Sequence, residues 1–244
     1  MSKILLVTGA SRGIGAGIAR MAGRDGYDVA VNYNKSKEGA DAVVAEIKRH
    51  GQRAIAIQAD VSREAEILRL FETVDRELGR MTAFVNNAGI IASVGRLEDF
   101  TFADIARSFD VNATGPLFCA REAVRRMAKK FGGSGGAIVN IASAATTLGS
   151  ANEFIHYAAS KAAMDALTYG LSKEMALEGV RVNAVSPGYI ETDIHYEGRE
   201  AKILPNIPMQ RAGSTAELAE TVMFLLSEKA SYVTGSILRV SGGR

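Results

Sequence analysis

The chain has 244 residues, 47% of them hydrophobic, which is material for one substantial core or two small ones. Its 29 basic and 27 acidic residues leave a formal net charge of +2 with no cationic block, which excludes a binder of nucleic acid or anionic membrane that works by bulk charge. The lone Cys119, between Phe118 and Ala120, excludes an internal disulfide framework and fits a small core side chain in a reducing compartment.

At the N-terminus, Met1-Ser2-Lys3 leads into the apolar run 4–7, too short for a signal-peptide core and followed at once by turn residues. No run reaches membrane-spanning length, so the expected location is the cytoplasm. Next comes Thr8-Gly9-Ala10-Ser11-Arg12-Gly13-Ile14-Gly15, opening into helical periodicity over 14–24. Glycines here permit positive φ and let a pyrophosphate approach backbone N–H groups at the positive end of a helix. The Gly-x-x-x-Gly-x-Gly spacing departs from the common Gly-x-Gly-x-x-Gly fingerprint, and no Gly-Lys-Ser/Thr ending marks a nucleoside triphosphate loop. Gly9, Ser11, Arg12, Gly13, Ile14 and Gly15 are the candidate dinucleotide-binding residues.

Runs 29–31, 54–57, 83–85, 137–141, 180–185 and 237–240 read as further buried strands, alternating with helical segments that include 38–50, 64–78, 158–177 and 216–226. That alternation predicts one α/β domain over 1–244, a doubly wound parallel sheet of Rossmann type with about seven strands. Ser62 and Ser214 read as helix N-caps, and Gly26, Gly51, Gly79 and Gly179 as helix stops. The patch Gly132-Gly133-Ser134-Gly135-Gly136 reads as a loop inside the domain. After the second strand stands Asn32-Tyr33-Asn34-Lys35, with no acid to accept hydrogen bonds from an adenosine ribose 2′-OH. With Arg12 as candidate phosphate partner, charge favours NADP over NAD; the alternative leaves Arg12 and Lys35 as solvated surface cations.

Further on, Tyr157 and Lys161 lie at i and i+4 on one helix face. A positive neighbour can lower a phenol's pKa from about 10 toward neutrality, so Tyr157 could give a proton to a carbonyl oxygen as hydride arrives, or take one from an alcohol. The pair by itself is a common chance spacing. Together with the glycine loop, Asn86-Asn87-Ala88-Gly89, Asn112, Ser143 and Pro187-Gly188, in this order, it makes the whole chain resemble the short-chain dehydrogenases/reductases.

The resemblance implies that Ser143 hydrogen-bonds the substrate oxygen, Tyr157 is the acid/base, Lys161 lowers its pKa and holds the nicotinamide ribose, and Asn112 anchors a relay water. It also implies that Asn32, Tyr33 and Asn34 meet the adenosine ribose, that Asp60 and Val61 flank the adenine, and that Asn87, Ala88 and Gly89 line the cofactor. Pro187, Gly188, Ile190 and Thr192 would hold the nicotinamide amide. The expected activity is NADP(H)-dependent interconversion of a small-molecule carbonyl compound and its alcohol, in a homotetramer paired through a helix over 112–131, the helix after Tyr157 and 236–244. A β-ketoacyl carrier-protein reductase and a glucose 1-dehydrogenase-type enzyme are the family alternatives. Phe131 and Glu178 stand where the first would present arginines, although Arg125, Arg126, Lys129 and Lys130 are close. A nucleotide-binding sensor or scaffold is the reading from another class.

The loops 90–99, 144–156 and 189–210 follow strands and are expected to shape the substrate site, the last as a mobile lid. His156, about 100° round the helix from Tyr157, either lines the cleft or faces solvent. His195 reads as a surface-loop histidine, with substrate contact as its alternative. No His, Cys, Asp or Glu grouping has metal-ligand spacing, so no catalytic metal is expected.

Overall fold

The computed structural model describes residues 3–196 and 198–244. Its strands are β1 (Lys3–Val7), β2 (Tyr27–Tyr33), β3 (Ala54–Gln58), β4 (Ala83–Asn86), β5 (Gly136–Ile141), β6 (Val180–Pro187) and β7 (Ile237–Val240). They form a seven-stranded sheet in the order β3-β2-β1-β4-β5-β6-β7, with every pairing parallel. Ile4, Leu5, Leu6 and Val7 are all buried, because helices cover both faces of a parallel sheet and leave no polar side to alternate with.

Between the strands run α1 (Gly13–Arg24), α2 (Lys37–Arg49), α3 (Glu64–Glu77), α4 (Phe102–Phe109), α5 (Gly115–Met127), α6 (Ala145–Leu148), α7 (Ile155–Met175), α8 (Arg199–Ile203) and α9 (Thr215–Leu226). On one face Ile18, Val43, Ile47, Leu218 and Val222 pack over Val29, Val85 and Val139. On the other, Leu70, Phe71, Cys119 and Met127 pack over Leu6, Phe84 and Ile138, with Phe71 edge-on to Phe84 at 5.7 Å. Burial of that order, about 25 cal/mol per Å² of apolar surface, is what holds the two layers to the sheet. Cys119 is a core residue, and burial pushes its thiol far above its ordinary pKa.

Some local expectations need correction. Ser214 caps α9 through a reciprocal box with Glu217, whereas Ser62 caps nothing: its hydroxyl donates to Asp60 Oδ1 at 2.6 Å, and Arg63 occupies the N-cap of α3. The helix expected over 112–131 is interrupted. A widened π turn at Asp110–Thr114 precedes α5, and α5 ends at Met127. Helix α4 was not foreseen, although Thr101 and Asp104 form a capping box at its start.

β1 lies between β2 and β4, so the winding reverses there and opens a crevice beyond the strands' carboxyl ends. The register sets Val7 beside both Val31 and Val85, which brings the glycine loop, the end of β2 and the end of β4 together. Ile141 beside Val185 does the same for the segments after β5 and β6.

Candidate active site

A continuous cleft of about 1600 Å³ runs over these strand ends. One arm is built around the glycine loop. Gly9 (φ +63°) and Gly13 (φ +55°) take left-handed conformations, and a Cβ on Gly15 would lie 2.5 Å from both Asn87 Nδ2 and Gly9 O. Helix α1 then starts at Gly13 with no side-chain cap and no acid in its first turn, leaving its positive end available to an anion. Asn87 Nδ2 donates to Thr8 O (2.8 Å) and Gly9 O (3.1 Å), and Thr8 Oγ1 accepts from the N–H groups of Asn87 and Ala88, which ties the loop to the end of β4.

Gly9, Ser11, Arg12, Gly13, Ile14, Gly15, Asn32, Asn34, Asp60, Val61, Asn87, Ala88 and Gly89 all line this arm. Tyr33 does not: side chains alternate along β2, so it points away from the face shared by Asn32 and Asn34 and is buried in the core. Asn32 is itself a clamp. Its Oδ1 accepts from Gly9 N (3.0 Å), and its Nδ2 donates to Ile57 O and Ala59 O (3.3 and 3.1 Å), so its side chain is occupied by the fold. Lys35 and Ser36 join Asn34 on the rim, together with Arg12, which faces Asp193 at 3.6 Å in an exposed pair.

The other arm holds Ser143, Tyr157, Lys161, Pro187, Gly188, Ile190 and Thr192. Tyr157 falls in the first turn of α7, near its positive end, and Lys161 is buried one turn on, where its Nζ donates to Ile141 O at 2.8 Å. Burial pushes the Tyr157 phenol above its usual pKa, while a Ser143 hydrogen bond and the Arg199 charge pull it down. Burial also brings Lys161 down to about 8, with Asp165 pulling it up. Lys161 thus has one of its donors engaged with a backbone carbonyl, and Arg199 brings a second cation to the same arm of the cleft. Asn112 lies outside the cleft wall. Its side chain bonds both backbone groups of Ile90 and donates to Ser160 Oγ (3.0 Å), which in turn donates to Tyr157 O (2.8 Å), so it buttresses the first turn of α7. A Cβ on Gly89 would lie 3.1 Å from Lys161 Nζ and 3.2 Å from Asn112 Oδ1, which places those two groups around the same small space.

Several residues not singled out as site residues complete the cleft: Glu153, Phe154, Arg199 and Arg244. Arg199 Nε and Nη2 donate to Glu153 at 3.4 and 3.2 Å, and Tyr196 Oη donates to Glu153 Oε1 at 2.8 Å. His195 belongs with them and is no free surface histidine. Its Nδ1 lies 2.8 Å from Arg199 Nη1 and its Nε2 3.0 Å from Ile190 O. Arginine only donates, so Nδ1 must accept and Nε2 must carry the proton. Burial, first, and the Arg199 charge press His195 down to about 4. His156 neither lines the cleft nor faces solvent; it is buried edge-on against Phe100 at 4.2 Å, with both ring nitrogens unpartnered. Among the described residues no three His, Cys, Asp or Glu side chains group so as to hold a metal ion, and no helix is long and apolar enough to cross a membrane.

The family described as Enoyl-(Acyl carrier protein) reductase matches residues 9–244. Over 245 residues, 99% of each chain, the sequence is 47% identical to "Uncharacterized oxidoreductase YgfF" of Escherichia coli (strain K12). It is 39% identical over 248 residues to the 3-oxoacyl-[acyl-carrier-protein] reductase FabG of Staphylococcus aureus (strain Mu50), covering 100% of this chain and 98% of the relative. A crystal structure of a short chain dehydrogenase from Burkholderia cenocepacia J2315 in complex with NADP superimposes with a TM-score of 0.92 at 37% identity, over 99% of this chain and 97% of that one.

Proposed function

Because the chain belongs to the short-chain dehydrogenases/reductases, an oxidoreductase family, we propose that it interconverts a small ketone or aldehyde and the corresponding alcohol with NADP(H), Tyr157 exchanging the proton. The observation that carries this reading is the convergence of Ser143, Tyr157 and Lys161 on one arm of a cleft whose other arm is an uncapped helix end behind a glycine loop.

That cradle fits a dinucleotide: the space at Gly15 is denied to any side chain, and the first-turn N–H groups of α1 face it without a competing acid. When bound, NADPH supplies the hydride that reaches the carbonyl carbon. The Ser143 hydroxyl holds the carbonyl oxygen, Tyr157 delivers its phenolic proton to that oxygen, and buried Lys161 holds the ribose and supports proton return. Asn112 keeps the first turn of α7 in place through Ser160. On the rim, Asn34, Lys35, Ser36 and Arg12 offer donors and positive charge where an acid would select NAD, and the Burkholderia cenocepacia neighbour in complex with NADP supports that preference.

A β-ketoacyl carrier-protein substrate is the second reading, favoured by the Staphylococcus aureus relative. Glu178 weighs against it, because its carboxylate accepts from Lys130 N at 2.7 Å and so caps a turn on the surface that would have to be basic. NADPH oxidation across diketones, quinones, ketoacyl thioesters and sugars tests both, with Tyr157→Phe as the inactive control. Loss of NADPH consumption with every substrate would overturn the enzyme reading and leave the nucleotide-binding sensor. The cytoplasm and a homotetramer pairing α5, α7 and the β7 end complete the proposal, and a stable monomer on gel filtration at micromolar concentration would overturn the tetramer.

A further inference from the structure

Arg199 is carried by α8, in a segment whose apolar residues form a small cluster of their own: Tyr189, Ile203, Ile207 and Ala212, with Leu204 against them. A unit with a separate core can open without disturbing the main one. What fastens it across the cleft is the set of bonds from Arg199 and Tyr196 to Glu153, on the segment after β5. In that position the guanidinium is nearly enclosed, its side chain 11% exposed, and it lies 4.9 Å from the Phe154 ring centre. Phe154 in turn meets the Tyr157 ring edge-on at 5.5 Å. The guanidinium and the phenol proposed to move the proton therefore both pack on one aromatic ring.

We propose that Arg199 is a positioning residue for the proton transfer: latched to Glu153 and His195, it lays a permanent positive charge on the same Phe154 ring that Tyr157 packs against, so that the proton donor is tuned only when the lid is fastened. This rests on the reading of Tyr157 as the acid/base. Among the described residues, the charged and titratable groups that share this arm of the cleft are Lys161 on the same helix as the phenol, Glu153 after β5, His195 and Arg199 on the lid, and Arg244 near the chain end, with the Ser143 hydroxyl hydrogen-bonded to Tyr157. Glu153 is engaged by Arg199 and Tyr196, and His195 is neutral above about 4. Lys161 is only partly charged near its value of about 8, whereas a guanidinium stays charged throughout the working range. Arg199 is thus the cation beside Tyr157 whose presence depends on lid position and not on pH.

The test is a titration of the protein labelled with 13Cζ-tyrosine, followed by NMR without substrate or cofactor, the Tyr157 signal being assigned by its loss in Tyr157→Phe. Glu153→Gln/Arg199→Met removes both charges together and leaves no unpaired carboxylate; Arg199→Lys keeps the cation. Measured against Glu153→Gln alone, which has already lost the carboxylate, we expect the ionisation constant of Tyr157 to fall about tenfold in the double variant, and Arg199→Lys to keep it close to that of the parent protein, while exposed Tyr169 does not move. The alkaline limb of kcat for NADPH-dependent reduction should shift upward in pH by the same amount. An unmoved Tyr157 midpoint in a folded double variant, or an equal shift in Arg199→Lys, overturns the proposal. If the double variant does not fold, Arg199→Gln is titrated under the same criteria. Tyr157→Phe retaining turnover would overturn the acid/base reading and this proposal with it; an inactive Tyr157→Phe beside an unmoved midpoint overturns the role of Arg199 alone.

Discussion

Beyond β1 and β2 the cleft is made of backbone, held by Asn32, Thr8 and Asn87 clamping neighbouring main-chain groups; beyond β5 and β6 it is made of side chains, with Arg199, Glu153, Tyr196 and His195 holding one another across 46 residues or fewer. The floor of the first arm has no room for an added atom at Gly15, while its rim carries exposed charge at Arg12 and Lys35. The wall of the second is joined by charged and polar side chains bonded to one another. The difference teaches where each arm is specific: a phosphate cradle recognises through fixed N–H directions, whereas a substrate wall recognises through groups that can be exchanged without disturbing the sheet.

The sharpest break in that comparison is Tyr157→Phe, which removes the phenol proposed as proton donor and leaves the backbone arm untouched. Turnover should fall by about 10²- to 10⁴-fold while NADPH binding, read by fluorescence titration, stays close to that of the parent protein. Gly15→Ala should do the reverse. Its methyl would sit 2.5 Å from Asn87 Nδ2 and Gly9 O, so the NADPH dissociation constant should rise about 10- to 100-fold and Tm should drop, consistent with an overpacking cost of about 1–3 kcal/mol. Arg12→Asp probes the rim without touching the floor. The ratio of kcat/KM for NADPH over NADH should fall about tenfold, and an unchanged ratio would mean that Arg12 is a solvated cation answering only to Asp193.

The smallest effect concerns pH. His195 is held down to about 4 in the folded protein, so between its ordinary value and that value the unfolded chain binds a proton that the folded chain refuses. Its contribution is therefore fully present above about pH 6.5 and is lost as pH falls toward 4. The parent protein should lose a few degrees more of Tm between pH 7 and pH 5 than His195→Gln, and equal losses would remove His195 from the latch.

Much of the site was legible because its signals are local. The glycine loop is eight consecutive residues between a strand and a helix, and Tyr157 with Lys161 is a single helical turn. Tyr33 lies away from the cleft, and the alternation of side chains along β2 already separated it from Asn32 and Asn34. His156 was misplaced for another reason: the face it occupies is covered by Phe100 and by α4, an element not foreseen. Asn112 lies in a π turn inside what read as continuous helix, and that turn decides where its amide points.

By itself the sequence determined the order of strands and helices, the parallel sheet and the two motifs that face each other across its ends, because hydrophobic periodicity and backbone requirements are short-range and leave a mark every few residues. Only the tertiary structure decided which charges pair and how each ionisable group is shifted. Arg199 could have been one more surface cation. It is nearly enclosed because its segment docks against Glu153 after β5 and takes the guanidinium out of water, and desolvation depends on elements brought together from distant parts of the chain.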